Sequence, residues 1–209
     1  MVETNAVPGF LPSTRGLRFA NHFPPGPTVC FGPIDPRWIG IGDASAGLCG
    51  GMAWYVRERF EARLPAPPDT EAPANGSPLF RALVRRQVRS LDWLRVPLRF
   101  WWMGAMSPER AARRSRVIEW PRIRADIDAG RLAMTGLVRH TGVNPFHLTR
   151  SHQVLAFAYE IESAGAGDAV TLRIYDPNWP GRDDIAVTLD AAGVRQSSGE
   201  PGTGVLRIA

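Results

Sequence analysis

Hydrophobic positions recur at helical spacing in the first half of the chain and at strand spacing in the second half. Over 49–63, CGGMAWYVRERFEAR, the residues Cys49, Met52, Ala53, Val56 and Phe60 share one face, and Arg57, Glu58, Glu61 and Arg63 fill the other. That spacing predicts an amphipathic helix. Gly50 and Gly51 in its first turn each cost about 1 kcal/mol of helix propensity, which is intelligible if something approaches that turn closely. After a loop over 65–77, Ser77-Pro78 starts a second helix, with Leu79, Leu83, Val84, Val88 and Leu91 on its buried face. Pro97 is read as ending that region. Ser107-Pro108-Glu109 starts a helix running to about Glu119. Pro121 is read as breaking it, and a short helical piece continues to Asp128, closed by Gly130.

The period changes after Gly130. Strands are predicted over 132–138, 152–162, 170–175, 185–189 and 205–208, and the turn SAGAGD joins the second and third into a hairpin. Helices followed by an antiparallel sheet make an α+β protein rather than a succession of β-α units. Residues 1–42 carry Pro24, Pro25, Pro27, Pro33 and Pro36, which forbid a long helix. They read as an extended arm with one short strand. The domain proper is 43–209, its helical half about 43–130 and its sheet half about 131–209.

Composition narrows the class. In 209 residues, 44% are hydrophobic and 22% charged, which suits one globular domain. It excludes a disordered chain, a collagen and a coiled coil. Two cysteines exclude a disulfide scaffold. No run reaches the roughly 18 apolar residues of a membrane span, and no basic start precedes an apolar run as in a signal peptide. The expectation is a cytoplasmic protein with no membrane partner and reduced thiols. The net charge is +5, and all 25 basic residues are Arg. Arg85, Arg86 and Arg89, and Arg110, Arg113, Arg114 and Arg116, read as solvated helix faces, so a nucleic-acid partner ranks last. Phe100, Trp101 and Trp102 are read as core.

Three residues carry candidate chemistry. Cys49 opens the first helix, His152 opens a strand, and Asp176 ends the next strand in Tyr175-Asp176-Pro177-Asn178. A thiol attacks as thiolate, and the N–H groups and partial positive charge of a helix N-terminus favour that form. A histidine can take the thiol proton and return it to a leaving group. A carboxylate then fixes the histidine tautomer. Asn178 is the reserve for that orienting role. This chemistry needs no cofactor, and no close Cys-x-x-Cys or His-x-x-x-His pair argues for a metal. Cys30 in the arm is read as structural, and His22, His140 and His147 as loop or surface residues.

The order of Gly47-Leu48-Cys49-Gly50-Gly51-Met52, then Ser151-His152-Gln153-Val154-Leu155, then Ile174-Tyr175-Asp176-Pro177-Asn178 resembles papain-like cysteine peptidases. The nearer likeness is to the bacterial branch that includes bacteriocin-processing peptidase domains, over about residues 43–190. The resemblance implies a papain-like fold, with the nucleophile helix packed on the antiparallel sheet. It also implies a cysteine hydrolase or acyl transferase acting on a peptide or amide through a thioester on Cys49. The family's Cys-Gly-Ser-Cys-Trp type of signature is absent. Papain-like enzymes place a Gln six residues before the Cys to donate to the oxyanion, and here that position is Asp43. An ionised Asp only accepts hydrogen bonds. Asn21 is a candidate replacement donor. The rival reading is a binding domain that keeps the scaffold without turnover.

Overall fold

The switch of period is realised as a helical layer and a curled antiparallel sheet. The computed structural model describes residues 2–24, 47–92, 95–164 and 167–208. Cys30 and Asp43 lie outside the described residues. Of the proline-rich arm, 2–24 are described. They form β1 (Val2–Ala6) and the single turn α1 (Pro12–Arg15), and Val7, Phe10, Leu17, Phe19 and Phe23 enter the main core.

The helices follow as α2 (Cys49–Glu61), α3 (Pro78–Ser90), α4 (Arg95–Gly104), α5 (Pro108–Arg114) and α6 (Trp120–Asp128). Ser77 Oγ caps α3 by accepting from the Phe80 N–H, and Ser107 Oγ caps α5 by accepting from the Arg110 N–H. Two of the proline expectations are corrected. Pro97 does not end a helix but sits in the first turn of α4, where a backbone N–H has no intrahelical partner to lose. Pro121 does not break the chain's helical course either. A π-helical turn, Ser115–Glu119, carries the backbone from α5 into α6, with the Trp120 N–H donating to the Ser115 carbonyl. The widened turn accommodates the ring that would strike the carbonyl one regular turn back.

The strands β2 (Ala133–Val138), β3 (His152–Ala164), β4 (Gly167–Tyr175), β5 (Ala186–Asp190) and β8 (Gly204–Arg207) fall close to the expected spans. Two further strands, β6 (Gly193–Gln196) and β7 (Pro201–Gly202), and a 3-10 turn, Pro145–Arg150, are added. All pairings are antiparallel, in the order β7-β6-β5-β4-β3-β2-β8. β1 joins β3 beyond β2, opposite residues 158–162. The sheet curls nearly into a barrel: the Thr203 N–H beside β7 donates to the Val138 carbonyl at the end of β2. The chain is therefore α+β, as its pattern implied.

The glycines of α2 are explained by packing. A Cβ on Gly51 would lie 2.2 Å from the Leu83 carbonyl oxygen of α3, and one on Gly50 would lie 2.4 Å from Ser90 Oγ. The first turn of α2 is thus pressed onto α3, with Met52, Ala53 and Val56 turned into the core. A second cluster forms around α4 from Val96, Phe100, Met103, Val138 and Leu206. Phe100 is core as expected, but Trp102 is 47% exposed and not core. Its ring carries the Arg114 guanidinium, 4.6 Å from the centroid.

Several arginines serve the fold. Buried Glu119 is held by Arg99 at 3.0 Å and Arg114 at 3.3 Å, and Asp126 by Arg207 at 2.6 Å and Arg131 at 2.9 Å. His140 lies in the loop after β2, as expected, but is buried rather than at the surface: it is 3% exposed, with Nδ1 3.2 Å from Ser151 Oγ and its ring against Gly104.

Replacing Gly51 by Ala tests the helix contact. On propensity alone the change favours the helix, but the added methyl is expected to force α2 from α3 and cost about 1–3 kcal/mol of unfolding free energy. Denaturant titration with the slope held common reads this. A stabilised Gly51→Ala would show that the two helices do not touch there.

Candidate active site

Register alone brings the histidine and the carboxylate together. β3 and β4 pair with Leu155 opposite Tyr175 and Ala156 opposite Ile174. One step further along, Asp176 stands level with Val154, two residues from His152. Side chains two apart share a face, so His152 and Asp176 are diagonal neighbours across the strand pair. His152 Nε2 lies 2.6 Å from Asp176 Oδ1, with both side chains buried.

The helix brings the thiol. Cys49 is the first residue of α2 and keeps part of its surface open. His152 and the backbone N–H groups of Gln153 and Gly50 are close enough to bear electrostatically on the Cys49 sulfur. Because Nε2 faces Asp176, Nδ1 is the ring nitrogen left for the thiol. Crowding by the protein pushes the Cys49 pKa up. The charge and hydrogen bond of His152, with the two N–H donors, outweigh it and pull the thiol below its ordinary value. Burial alone would depress His152, but Asp176 and Cys49 lift it from 6.5 to about 9. Burial would raise Asp176, and His152, the Asn178 N–H and the Gln196 amide hold it below the usual carboxylate range. The three shifts point the same way, each favouring the charged form of its group: thiolate, imidazolium and carboxylate.

Asn178 does not orient the histidine. Its backbone N–H donates to Asp176 Oδ1 at 2.9 Å. Its side chain meets Asn21, whose Nδ2 donates to Asn178 Oδ1 at 3.1 Å. The Asn21 Oδ1 in turn accepts from the Leu48 N–H at 2.6 Å, and the Asn21 N–H donates to the Pro177 carbonyl at 2.9 Å. Asn21 therefore ties the nucleophile turn to the loop after Asp176. Gly47 leaves room for it: its φ is +87°, and a Cβ there would lie 2.5 Å from Asn21 Nδ2.

Two neighbours escaped the sequence reading. Gln196 Nε2 donates to Asp176 Oδ2 at 2.8 Å, and Arg139 Nη2 donates to Gln196 Oε1 at 2.7 Å. Neither carries a local signal. Gln196 lies on a four-residue strand and Arg139 just past β2, and the curl of the sheet alone brings them to Asp176. Among the described residues no group of three or more His, Cys, Asp and Glu is placed to hold a metal ion, and no helix is long and apolar enough to cross a membrane. Comparison with protein-family models, with curated proteins and with solved structures yields no significant match.

Alkylation by iodoacetamide, followed against pH with the modified site assigned by mass spectrometry, checks the ion pair. Cys49 is expected to react well below pH 8.5. His152→Ala should slow it about tenfold at pH 7, where an ordinary thiol is mostly protonated. Asp176→Asn should bring the His152 titration down from about 9 toward 6.5. A Cys49 that reacts like a free thiol in all three proteins would contradict the arrangement.

Proposed function

We propose that this protein is a papain-like cysteine hydrolase, a peptidase, amidase or acyl transferase, working through a thioester on Cys49. One observation carries the reading: His152 engages a buried carboxylate through Nε2 and stands beside the partly buried Cys49 at a helix start, with Nδ1 left for the thiol. The helical half bearing Cys49 and the antiparallel half bearing His152 and Asp176 match what the papain-like likeness implies.

The chemistry follows from the charges. The Cys49 thiolate attacks the carbonyl carbon of a peptide or amide, forming the C–S bond as the carbonyl electrons move onto oxygen. The Cys49 N–H at the start of α2 is the donor offered to that oxyanion, since the Gly51 N–H is taken by Gln87 Oε1 at 2.8 Å and the Met52 N–H by the Leu48 carbonyl. Collapse of the tetrahedral centre breaks the C–N bond, and the imidazolium gives its proton to the departing amine. Neutral His152 then takes a proton from water, or from an acceptor amine or alcohol, as it attacks the thioester. The thiolate leaves and takes up its place beside the re-formed imidazolium. Asp176 keeps the ring in place and stays ionised throughout.

The second reading, a papain-like scaffold that binds without turnover, is favoured by Asp43 where the likeness expects a Gln. Asn21, the candidate replacement, already spends one amide hydrogen on Asn178.

A reactive ester separates them. Mixed with p-nitrophenyl acetate, the wild type is expected to release a burst of nitrophenolate stoichiometric with protein and to carry acetyl on Cys49. Cys49→Ala should abolish the burst, and His152→Ala should slow it by about 10²–10⁴. No acetyl on Cys49 would leave the binding scaffold as the answer.

A further inference from the structure

The Asp176 carboxylate is completely buried, and each of its oxygens is engaged. Oδ1 accepts from His152 Nε2 and from the Asn178 N–H. Oδ2 accepts from Gln196 Nε2 at 2.8 Å, and the Arg139 guanidinium stands 3.8 Å from it. An amide can face a carboxylate either way round. Here only one way is open, because Asp176 only accepts and Arg139 only donates. Arg139 Nη2 takes Gln196 Oε1, so Gln196 Nε2 must turn to Asp176. Gln196 is 8% exposed and the Arg139 side chain 12%, so this cation is largely withdrawn from water. Little screening then separates it from the carboxylate.

We propose that Arg139 is a positioning residue for the candidate site: with Gln196 between them, it locks the second oxygen of Asp176 and sets the pH range over which Cys49 and His152 form a thiolate–imidazolium pair. The inference rests on the Cys49–His152–Asp176 reading and adds to it a cation that no sequence motif marks. Without the Gln196–Arg139 arm, Oδ2 has no fixed donor, and the carboxylate can rotate about its Cβ–Cγ bond and lose its aim at Nε2. A positive charge behind the carboxylate also lowers the pKa of every group it faces. It opposes the imidazolium and favours the thiolate. The charged and titratable groups around the pair are few. Cys49 comes from α2, His152 from β3, Tyr175 from β4, Arg139 from the end of β2, and Glu200 from the turn between β6 and β7. Glu200 faces Arg139 and is itself held by Trp179 Nε1 at 3.1 Å. Arg139 is the basic residue within ion-pair distance of Asp176 among the described arginines.

The test uses the full chain and two variants. Arg139→Gln keeps a donor for Gln196 Oε1 and removes the charge, and Arg139→Lys keeps the charge. The readouts are the acid inflection of Cys49 alkylation by iodoacetamide and the His152 imidazole titration by NMR. Folding of each variant is checked by circular dichroism. Arg139→Gln is expected to raise both inflections by about half to one pH unit, and Arg139→Lys to return them close to the wild-type positions. A purely structural Arg139 would lower thermal stability and leave the inflections of the folded protein where they were. Unmoved inflections in Arg139→Gln, or an Arg139→Lys that behaves like Arg139→Gln, would overturn the inference. If Arg139→Gln does not fold, Arg139→Met, which removes the same charge with a side chain of similar length, takes its place with the same expected rise and the same overturning result. A wild-type Cys49 with an ordinary thiol titration would instead remove the Cys49–His152–Asp176 reading, and the inference with it. These failures are distinguishable because the first two occur with the wild-type pair intact.

Discussion

A carboxylate buried without solvent must be neutralised by what surrounds it, and Asp176 is the point around which this molecule is arranged. Taking one such charge out of water costs several kcal/mol even after relaxation. The cost is met by converging donors from separate parts of the chain: the His152 ring from β3, the Asn178 N–H from the next loop, the Gln196 amide from β6, and the Arg139 guanidinium beyond β2. β3 pairs directly with β4 and places His152 by register, whereas β6 and β2 do not border each other in the strand order. Gln196 and Arg139 meet beside Asp176 because the sheet curls, so the curl and the buried carboxylate support each other.

The helix side obeys a steric constraint. A thiol can reach His152 only if the first turn of α2 lies tight against α3 and the strand head. Gly50 and Gly51 permit that approach, since a methyl on either would collide with α3. Asn21 then fixes the turn from the other side through the Leu48 N–H. The N-terminal residues thereby take part in the site: Phe19 and Phe23 anchor the segment in the core on either side of Asn21.

The arginine content divides in a physically sensible way. Arg99, Arg114, Arg131 and Arg207 neutralise the buried acids Glu119 and Asp126, and Arg139 serves Asp176. Arg110, Arg113 and Arg116 form no ion pair among the described residues, in keeping with solvated helix faces. A single basic residue type thus fills both roles, and its planar fork suits the buried one.

Sequence by itself determined the local features. The period of three to four residues marked α2 and α3, because a helix must bury one stripe; β-branched and aromatic content marked β3, and alternation marked β4, because a half-buried strand buries every second residue. It also singled out Cys49, His152 and Asp176, each at the end of an element, where a side chain can leave the regular lattice. Breakers were misjudged where context relieved them: Pro97 fell in a first turn, and Pro121 followed a π-helical one. β6 and β7 were not legible, because two to four residues bounded by glycine and proline show no alternation. Only the tertiary structure decided which partners each site residue has. Gln196 and Arg139 meet Asp176 by sheet curvature, Asn21 by the return of the N-terminal segment, and His140 becomes buried by packing on Gly104. Those contacts join residues far apart in the chain, and no local pattern encodes them, since they depend on how the hydrophobic layers close.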